Sequence, residues 1–177
     1  MWSICKKDIE QFFSSLLGYV AIVLFLMLNG LFLFVLPDSN LLDFGYASLE
    51  QFFDLTPWVF LILIPAITMR SLSEEYRLGT FELLKTGPLK AEAIVAGKFL
   101  SVFIILLMAI IPTLVYVFTI HSLSITGNID IGAIAGSYTG LLFLGLTFAS
   151  IGICCSSFTS NAVVAFLLSA FVCIVLY

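Results

Sequence analysis

Apolar residues in this chain occur in long runs that charged residues rarely interrupt. Residues 16–36, for example, hold no charged side chain, and about 20 apolar residues are enough for a helix to cross a hydrocarbon core of about 30 Å. Four similar runs follow along the chain. The pattern therefore predicts transmembrane helices over residues 16–36, 52–70, 98–120, 131–155 and 161–177.

The composition agrees with a protein that lies mostly in lipid. The chain is 62% hydrophobic and 10% charged, whereas a soluble domain carries about 25% charged residues. Only helices and closed barrels satisfy their backbone in a bilayer, and residues 19–28 do not alternate as a barrel strand would. We therefore predict an all-α integral membrane protein in which residues 1–177 form a single transmembrane domain.

The positive charges indicate how the chain is oriented in the membrane. Lys6 and Lys7 precede the first apolar run, and residues 70–98, which we call the elbow, hold the other five of the seven Lys and Arg residues. The loops over 37–56 and 121–130 contain no Lys or Arg. By the positive-inside rule, the N-terminus and the elbow are predicted to be cytoplasmic and both loops to lie outside.

Several shorter features complete the predicted topology. Residues 1–11 are predicted to form an amphipathic N-terminal segment, the amphipathic lead, that lies along the cytoplasmic interface of the membrane. Pro65 and Pro112 predict kinks, because proline removes a backbone donor within a helix. The acidic 37–56 loop is either a contact surface for a substrate or partner, or a loop with interfacial anchors. Its aromatic residues are Phe44, Tyr46, Phe52 and Phe53.

The elbow is predicted to contain two helices. Over residues 72–85, apolar positions recur at spacings of three and four, which indicates an amphipathic helix. Gly79 weakens such a helix by roughly 1 kcal/mol and suggests a bend or a close backbone contact. Pro88 is placed to begin a second helix, with Gly87 as its cap. The elbow is thus either a docking site for a soluble ATPase or a solvated loop that only fixes topology.

Three glycines recur every four residues on one face of the fourth predicted helix. They are Gly132, Gly136 and Gly140, and small residues at this spacing let another membrane helix approach closely. Two interpretations stay open. The face either forms a subunit interface or sliding surface, or it packs within the bundle of this one chain.

The motifs of common enzyme classes are missing from the sequence. There is no G-x-x-x-x-G-K-[ST], H-E-x-x-H or G-x-S-x-G, so we predict no catalytic residue and no ATP site on this chain. The cysteines lack metal-ligand spacing and are expected to be free thiols, with no metal site. The predicted spans hold no pair of ionisable side chains of the kind that ion-coupled carriers use. This favours a transport process whose energy is supplied from outside the membrane. The cysteines are Cys5, Cys154, Cys155 and Cys173.

Two strings in the elbow resemble a known family. E-E-Y-R-L-G-T-F-E-L-L-K-T-G-P-L, followed by I-V-A-G-K-F-L, looks like the cytoplasmic coupling segment of ABC-2 type transporter permeases. More narrowly, the chain is similar to the gliding-motility-associated ABC permease of Bacteroidetes. That similarity covers essentially all 177 residues and includes F-F-S-S-L-L-G-Y, P-W-V-F-L-I-L-I-P-A-I-T-M-R and G-N-I-D-I-G-A-I-A-G-S-Y-T-G-L-L-F-L.

The resemblance implies a six-helix permease bundle that dimerises and binds two ATP-hydrolysing subunits. With five of the six helices present, the chain is expected to stop before a sixth. ATP and Mg would be bound by the partner ATPase and no cofactor by this chain, while Lys98 would begin the third helix. The coupling segment gripped by the ATPase would comprise Glu74, Glu75, Arg77, Gly79, Thr80 and Glu82.

The expected function is therefore that of a non-catalytic permease subunit of an exporter-like ABC-2 transporter associated with gliding motility. The implied location is the bacterial inner membrane, with several spans. Expected partners are ABC ATPase subunits, a second or related permease copy, an extracytoplasmic accessory membrane protein and the lipid bilayer, with no nucleic acid. The alternative is a non-transporting membrane scaffold of a motility or secretion assembly, in which the elbow only docks a partner.

Overall fold

A computed structural model of the chain describes residues 2–34, 49–79, 91–123 and 131–177. Every regular element within these ranges is helical, in agreement with the predicted fold class. A short 3-10 turn, Ile111–Thr113, separates the fifth and sixth helices. The helices are α1 (Trp2–Ser14), α2 (Leu16–Phe34), α3 (Glu50–Thr68), α4 (Ser73–Leu78), α5 (Ala91–Ile110), α6 (Leu114–Leu123), α7 (Ile131–Ser157) and α8 (Ala162–Leu176).

Three helical stretches of the described chain are long and apolar enough to cross a membrane. They are Glu50–Leu78, Glu92–Ser122 and Ile131–Ser157. A fourth is added if α1 and α2, which meet at 73°, form one broken span. Since α8 is shorter, with 15 residues, the count of five spans stays a prediction.

The helix α3 occupies the centre of the bundle, where it packs against α2, α7 and α8. It begins at Glu50, so the prediction of a loop as far as residue 56 was wrong at its end. Phe52 is 1% exposed, and its ring centroid lies 5.8 Å from that of Tyr116 and 5.9 Å from that of Tyr138. It is therefore a core residue that the first turn of α3 directs inward. Phe44 and Tyr46 lie outside the described residues.

Two glycines other than the predicted three bring α7 close to its neighbours. A Cβ atom added at Gly152 would lie 2.8 Å from the Cβ of Thr68, and one added at Gly145 would lie 2.6 Å from Leu106 Cδ2. Real Cβ contacts are not this short, so a side chain at Gly152 would collide with the β-carbon of Thr68, whereas one at Gly145 would require the end of the Leu106 side chain to move. The contacts join α7 to α3 and to α5.

The predicted glycine face of α7 does not pack within the described part of the chain. Gly132, Gly136 and Gly140 are exposed, and a Cβ at Gly136 or Gly140 would meet nothing within 4 Å. No described residue therefore packs against this face, and its two interpretations stay predictions. The reason is that α7 turns its other face, with Gly145 and Gly152, toward α5 and α3.

Buried hydrogen bonds fix the register of neighbouring helices. Asn29 on α2 donates from Nδ2 to the carbonyl of Phe25 at 2.8 Å, and its Oδ1 accepts from Thr56 Oγ1 at 3.1 Å. The hydroxyls of Tyr138 and Thr113 lie 3.2 Å apart. Thr113 belongs to the 3-10 turn at Pro112, the position of a predicted kink. The four cysteines are free, as expected.

Candidate functional site

The short helix α4 follows α3 after four residues and ends at Gly79. Gly79 adopts φ +69°, in the left-handed region, and a Cβ there would meet nothing within 4 Å. The glycine therefore turns the chain, in agreement with the predicted bend, and makes no close contact with any described residue. The helix predicted over 72–85 ends at Leu78 in the described chain. Thr80, Glu82 and the predicted start of a helix at Pro88 lie outside the described residues.

One face of α4 is open to solvent. Its Arg77 side chain is 67% exposed and lies 3.3 Å from Glu74 Oε1, while Leu78 is 63% exposed. Glu74 also accepts a hydrogen bond from Gln11 Nε2 at 3.4 Å. The exposed end of α4 thus offers a guanidinium group and an apolar side chain side by side, a combination suited to contact with another protein.

The opposite face of α4 is tied to α1 and α5 through Lys98. The Nζ atom of Lys98 lies 3.1 Å from Glu75 Oε1 and 3.3 Å from Asp8 Oδ2. It also donates to the backbone carbonyl of Ser71 at 2.5 Å. Because Lys98 is 1% exposed and Glu75 is 7% exposed, these are buried contacts. We call Asp8, Ser71, Glu75 and Lys98 the Lys98 cluster.

The electrostatics of the Lys98 cluster follow from its burial. Burial raises the pKa of Asp8 above its ordinary value, against the lowering effect of the Lys98 ammonium group. Lys7 contributes a second cation at 3.6 Å from Glu75 Oε1, with more than half of its side chain exposed. Lys98 is thus the cation that most directly balances the two buried carboxylates.

A serine at the end of α7 caps the start of α4. Ser156 Oγ accepts hydrogen bonds from the backbone amides of Leu72 and Ser73, each at 3.0 Å. It donates to the carbonyl of Met69 at 3.2 Å. The first amides of a helix have no acceptor within the helix itself, so Ser156, which is fully buried, supplies one from a different helix.

The turn between α3 and α4 is therefore held from two sides. Lys98 on α5 binds it at Ser71, and Ser156 on α7 binds it at Met69, Leu72 and Ser73. A displacement of α4 must move α5 and α7 with it or break these contacts. The site joins a solvent-exposed face to the helices of the bundle, and its contacts are suited to transmitting motion.

Sequence reasoning found α4 but not its anchors. It placed Lys98 at the start of the third predicted span and left Ser156 just beyond the fourth, which was predicted to end at residue 155. Asp8 and Lys98 are 90 positions apart, and Ser156 is 83 positions from Ser73, so no local spacing relates them. The one available signal was a lysine at the start of an apolar run together with an aspartate in the amphipathic lead.

Comparison with known proteins identifies a family whose model matches this chain. The family model described as ABC-2 family transporter protein matches residues 37–177, a range that contains α3 to α8 and every member of the Lys98 cluster except Asp8. No curated protein and no solved structure matches the chain. Membership of this family implies partnership with an ABC ATPase subunit. With its apolar helical bundle and a match over well more than half its length, the chain belongs to the ABC-2 family of transporter membrane proteins.

Proposed function

We propose that this chain is the permease subunit of an exporter-like ABC-2 transporter and that a partner ATPase drives it through α4. The coupling segment comprises Glu74, Glu75, Arg77, Gly79, Thr80 and Glu82. The observation that supports this most is the double attachment of α4: one face is exposed, while its first turn is hydrogen-bonded to α7 and its Glu75 is paired with α5. A helix with that arrangement can transmit a displacement from a docked subunit to the bundle.

The residues of the coupling segment have different roles in this proposal. Arg77, which is exposed, contacts the ATPase together with Leu78. Glu75 faces inward and holds α4 on Lys98. Gly79 turns the chain after α4. A charge reversal at Arg77 therefore tests docking without disturbing the bundle, whereas one at Glu75 would place a third cation against Lys98 and Lys7.

The rest of the assembly follows from the same proposal. The N-terminus and α4 face the cytoplasm of the bacterial inner membrane, where the ATPase binds ATP and Mg, and this chain has no catalytic role. The open face of α7 with Gly132, Gly136 and Gly140 packs against a second permease copy. Association with gliding motility is supported by the resemblance of the sequence strings.

The docking proposal is tested by co-purification in mild detergent from native membranes. A tagged wild-type chain is expected to recover a P-loop ATPase, and Arg77→Glu to lower that recovery by about tenfold, since a reversed charge at an interface costs more than the 1.4 kcal/mol that corresponds to tenfold. Lys6→Glu is the matched control, because Lys6 is equally exposed and lies on α1. Equal recovery with Arg77→Glu and Lys6→Glu would count against docking at α4.

The scaffold alternative differs in what happens after docking. A scaffold also holds a partner at α4, but the activity of that partner does not depend on movement of α5 or α7. Recovery of the ATPase therefore supports either function. The rate of ATP hydrolysis in the assembled complex distinguishes them.

A further inference from the structure

A cavity of about 460 Å³ lies between α1, α3, α4 and α5. Its size falls within the roughly 300–1,000 Å³ that is usual for ligand pockets. One part of its wall is apolar and comes from α3 and α5, namely Ala66, Ile67, Val102 and Ile105. The other part is polar and includes Lys7, Gln11, Arg70 and Glu74. The cavity is thus amphipathic, with distinct polar and apolar sides.

Among the described residues, the charges around the polar side leave one cation without an ion pair. Asp8 and Glu75 are paired with Lys98, and Glu74 is paired with Arg77. Arg70, in contrast, forms no ion pair with any residue of the described chain. A guanidinium group matches the geometry of a phosphate group, to which it donates two parallel hydrogen bonds.

The position of the cavity corresponds to the edge of the bilayer. Arg70 lies two residues after the last residue of the apolar helix α3, which ends at Thr68. The amphipathic α1, which forms another wall, meets α2 at 73°, as expected for a helix that lies along the interface while its neighbour crosses the membrane. Lipid phosphates occupy this level, and acyl chains begin just below it.

We propose that this cavity is a binding site for one glycerophospholipid molecule. Its phosphate is bound by Arg70, and the start of an acyl chain lies along the apolar wall formed by Ala66, Ile67, Val102 and Ile105. An isolated arginine at a membrane edge would exchange freely among surrounding lipids. Walls from four helices distinguish this partly open cavity from such an arginine and limit it to one lipid molecule. The proposal rests on membrane insertion of the chain and not on ATPase docking at α4.

The test uses the transporter complex purified in mild detergent, stripped of lipid and titrated with dihexanoylphosphatidylglycerol. Native mass spectrometry counts the bound molecules. Wild type is expected to bind one molecule tightly, and Arg70→Gln to weaken its binding by about tenfold, as for loss of a charge-assisted contact. Lys6→Gln, which removes an exposed charge that does not line the cavity, is expected to bind as wild type does.

A second variant and a second ligand separate a lipid from a free anion. Ala66→Leu fills the apolar side and leaves Arg70 in place, so it is expected to weaken lipid binding as well. Inorganic phosphate, titrated separately, is expected to bind weakly to every variant. Tight phosphate binding that Ala66→Leu does not change would overturn the lipid assignment in favour of a free-anion site. Lipid binding that survives Arg70→Gln unchanged would overturn the site itself.

Discussion

Replacing Lys98 with methionine is expected to destabilise the folded chain by about 3–5 kcal/mol, the usual effect of removing one partner from a buried ion pair. Methionine keeps the length of the side chain but leaves the carboxylates of Asp8 and Glu75 without the ammonium group at 3.3 and 3.1 Å. The carbonyl of Ser71 also loses its donor. A lower unfolding temperature of the purified complex would report the loss.

Two further variants show whether buried charge is the cause. Lys6→Met removes an exposed member of an i,i+4 pair and is expected to change stability by no more than about 0.5 kcal/mol. Adding Asp8→Asn to Lys98→Met is expected to recover part of the loss, because it removes a carboxylate whose pKa burial already raises. If Lys98→Met is as stable as Lys6→Met, the Lys98 cluster does not hold α4 in place.

Replacing Gly152 with leucine is expected to lower the stability of the folded chain, and this is the second large effect. The new side chain would overlap Thr68, whose Cβ lies 2.8 Å from the position of an added Cβ. Overpacking of a tight contact costs about 1–3 kcal/mol, while leucine in place of glycine in a helix gains only about 1 kcal/mol. The steric cost exceeds the gain in helix propensity because the new side chain meets the β-carbon of Thr68, which cannot rotate away.

The matched control is the same substitution at Gly140. That position has open space within 4 Å in the described chain, so Gly140→Leu is expected to leave the unfolding temperature of the monomeric chain unchanged or to raise it slightly. If the open face contacts a second permease copy, the same variant lowers the dimer fraction measured by native mass spectrometry. A Gly152→Leu protein as stable as Gly140→Leu would contradict the close packing of α7 on α3.

The sequence predicted the helical class and the location of α4 because both depend on local patterns. Long apolar runs specify helices in a bilayer, and the spacing of apolar positions from residue 72 indicated the helix α4. The predicted end at residue 85 was wrong for the described chain, because Gly79 turns the chain after Leu78. Pro112 likewise marks the 3-10 turn. These features require no knowledge of which helix lies next to which.

The contacts that depend on tertiary packing could not be predicted from local sequence patterns. The three evenly spaced glycines gave the stronger sequence signal, yet Gly145 and Gly152 make the close contacts, because the direction that α7 turns toward its neighbours is set by the whole bundle. Ser156 caps α4 across 83 positions of sequence. Phe52 was placed both at the end of the predicted 37–56 loop and at the start of the predicted 52–70 span, whereas α3 begins at Glu50 and its first turn directs Phe52 into the core.

Ser156 gives the most direct test of whether α4 transmits the motion of a partner ATPase to the bundle. In the complex reconstituted in lipid, Ser156→Ala removes the cap that α7 provides to α4. Ser157→Ala changes the adjacent, partly exposed serine, which among the described residues bonds within its own helix. We expect Ser156→Ala to retain the ATPase but to lose most of the stimulation of ATP hydrolysis, and Ser157→Ala to behave as wild type. Full stimulation in an assembled Ser156→Ala complex would contradict transmission from α4 to α7.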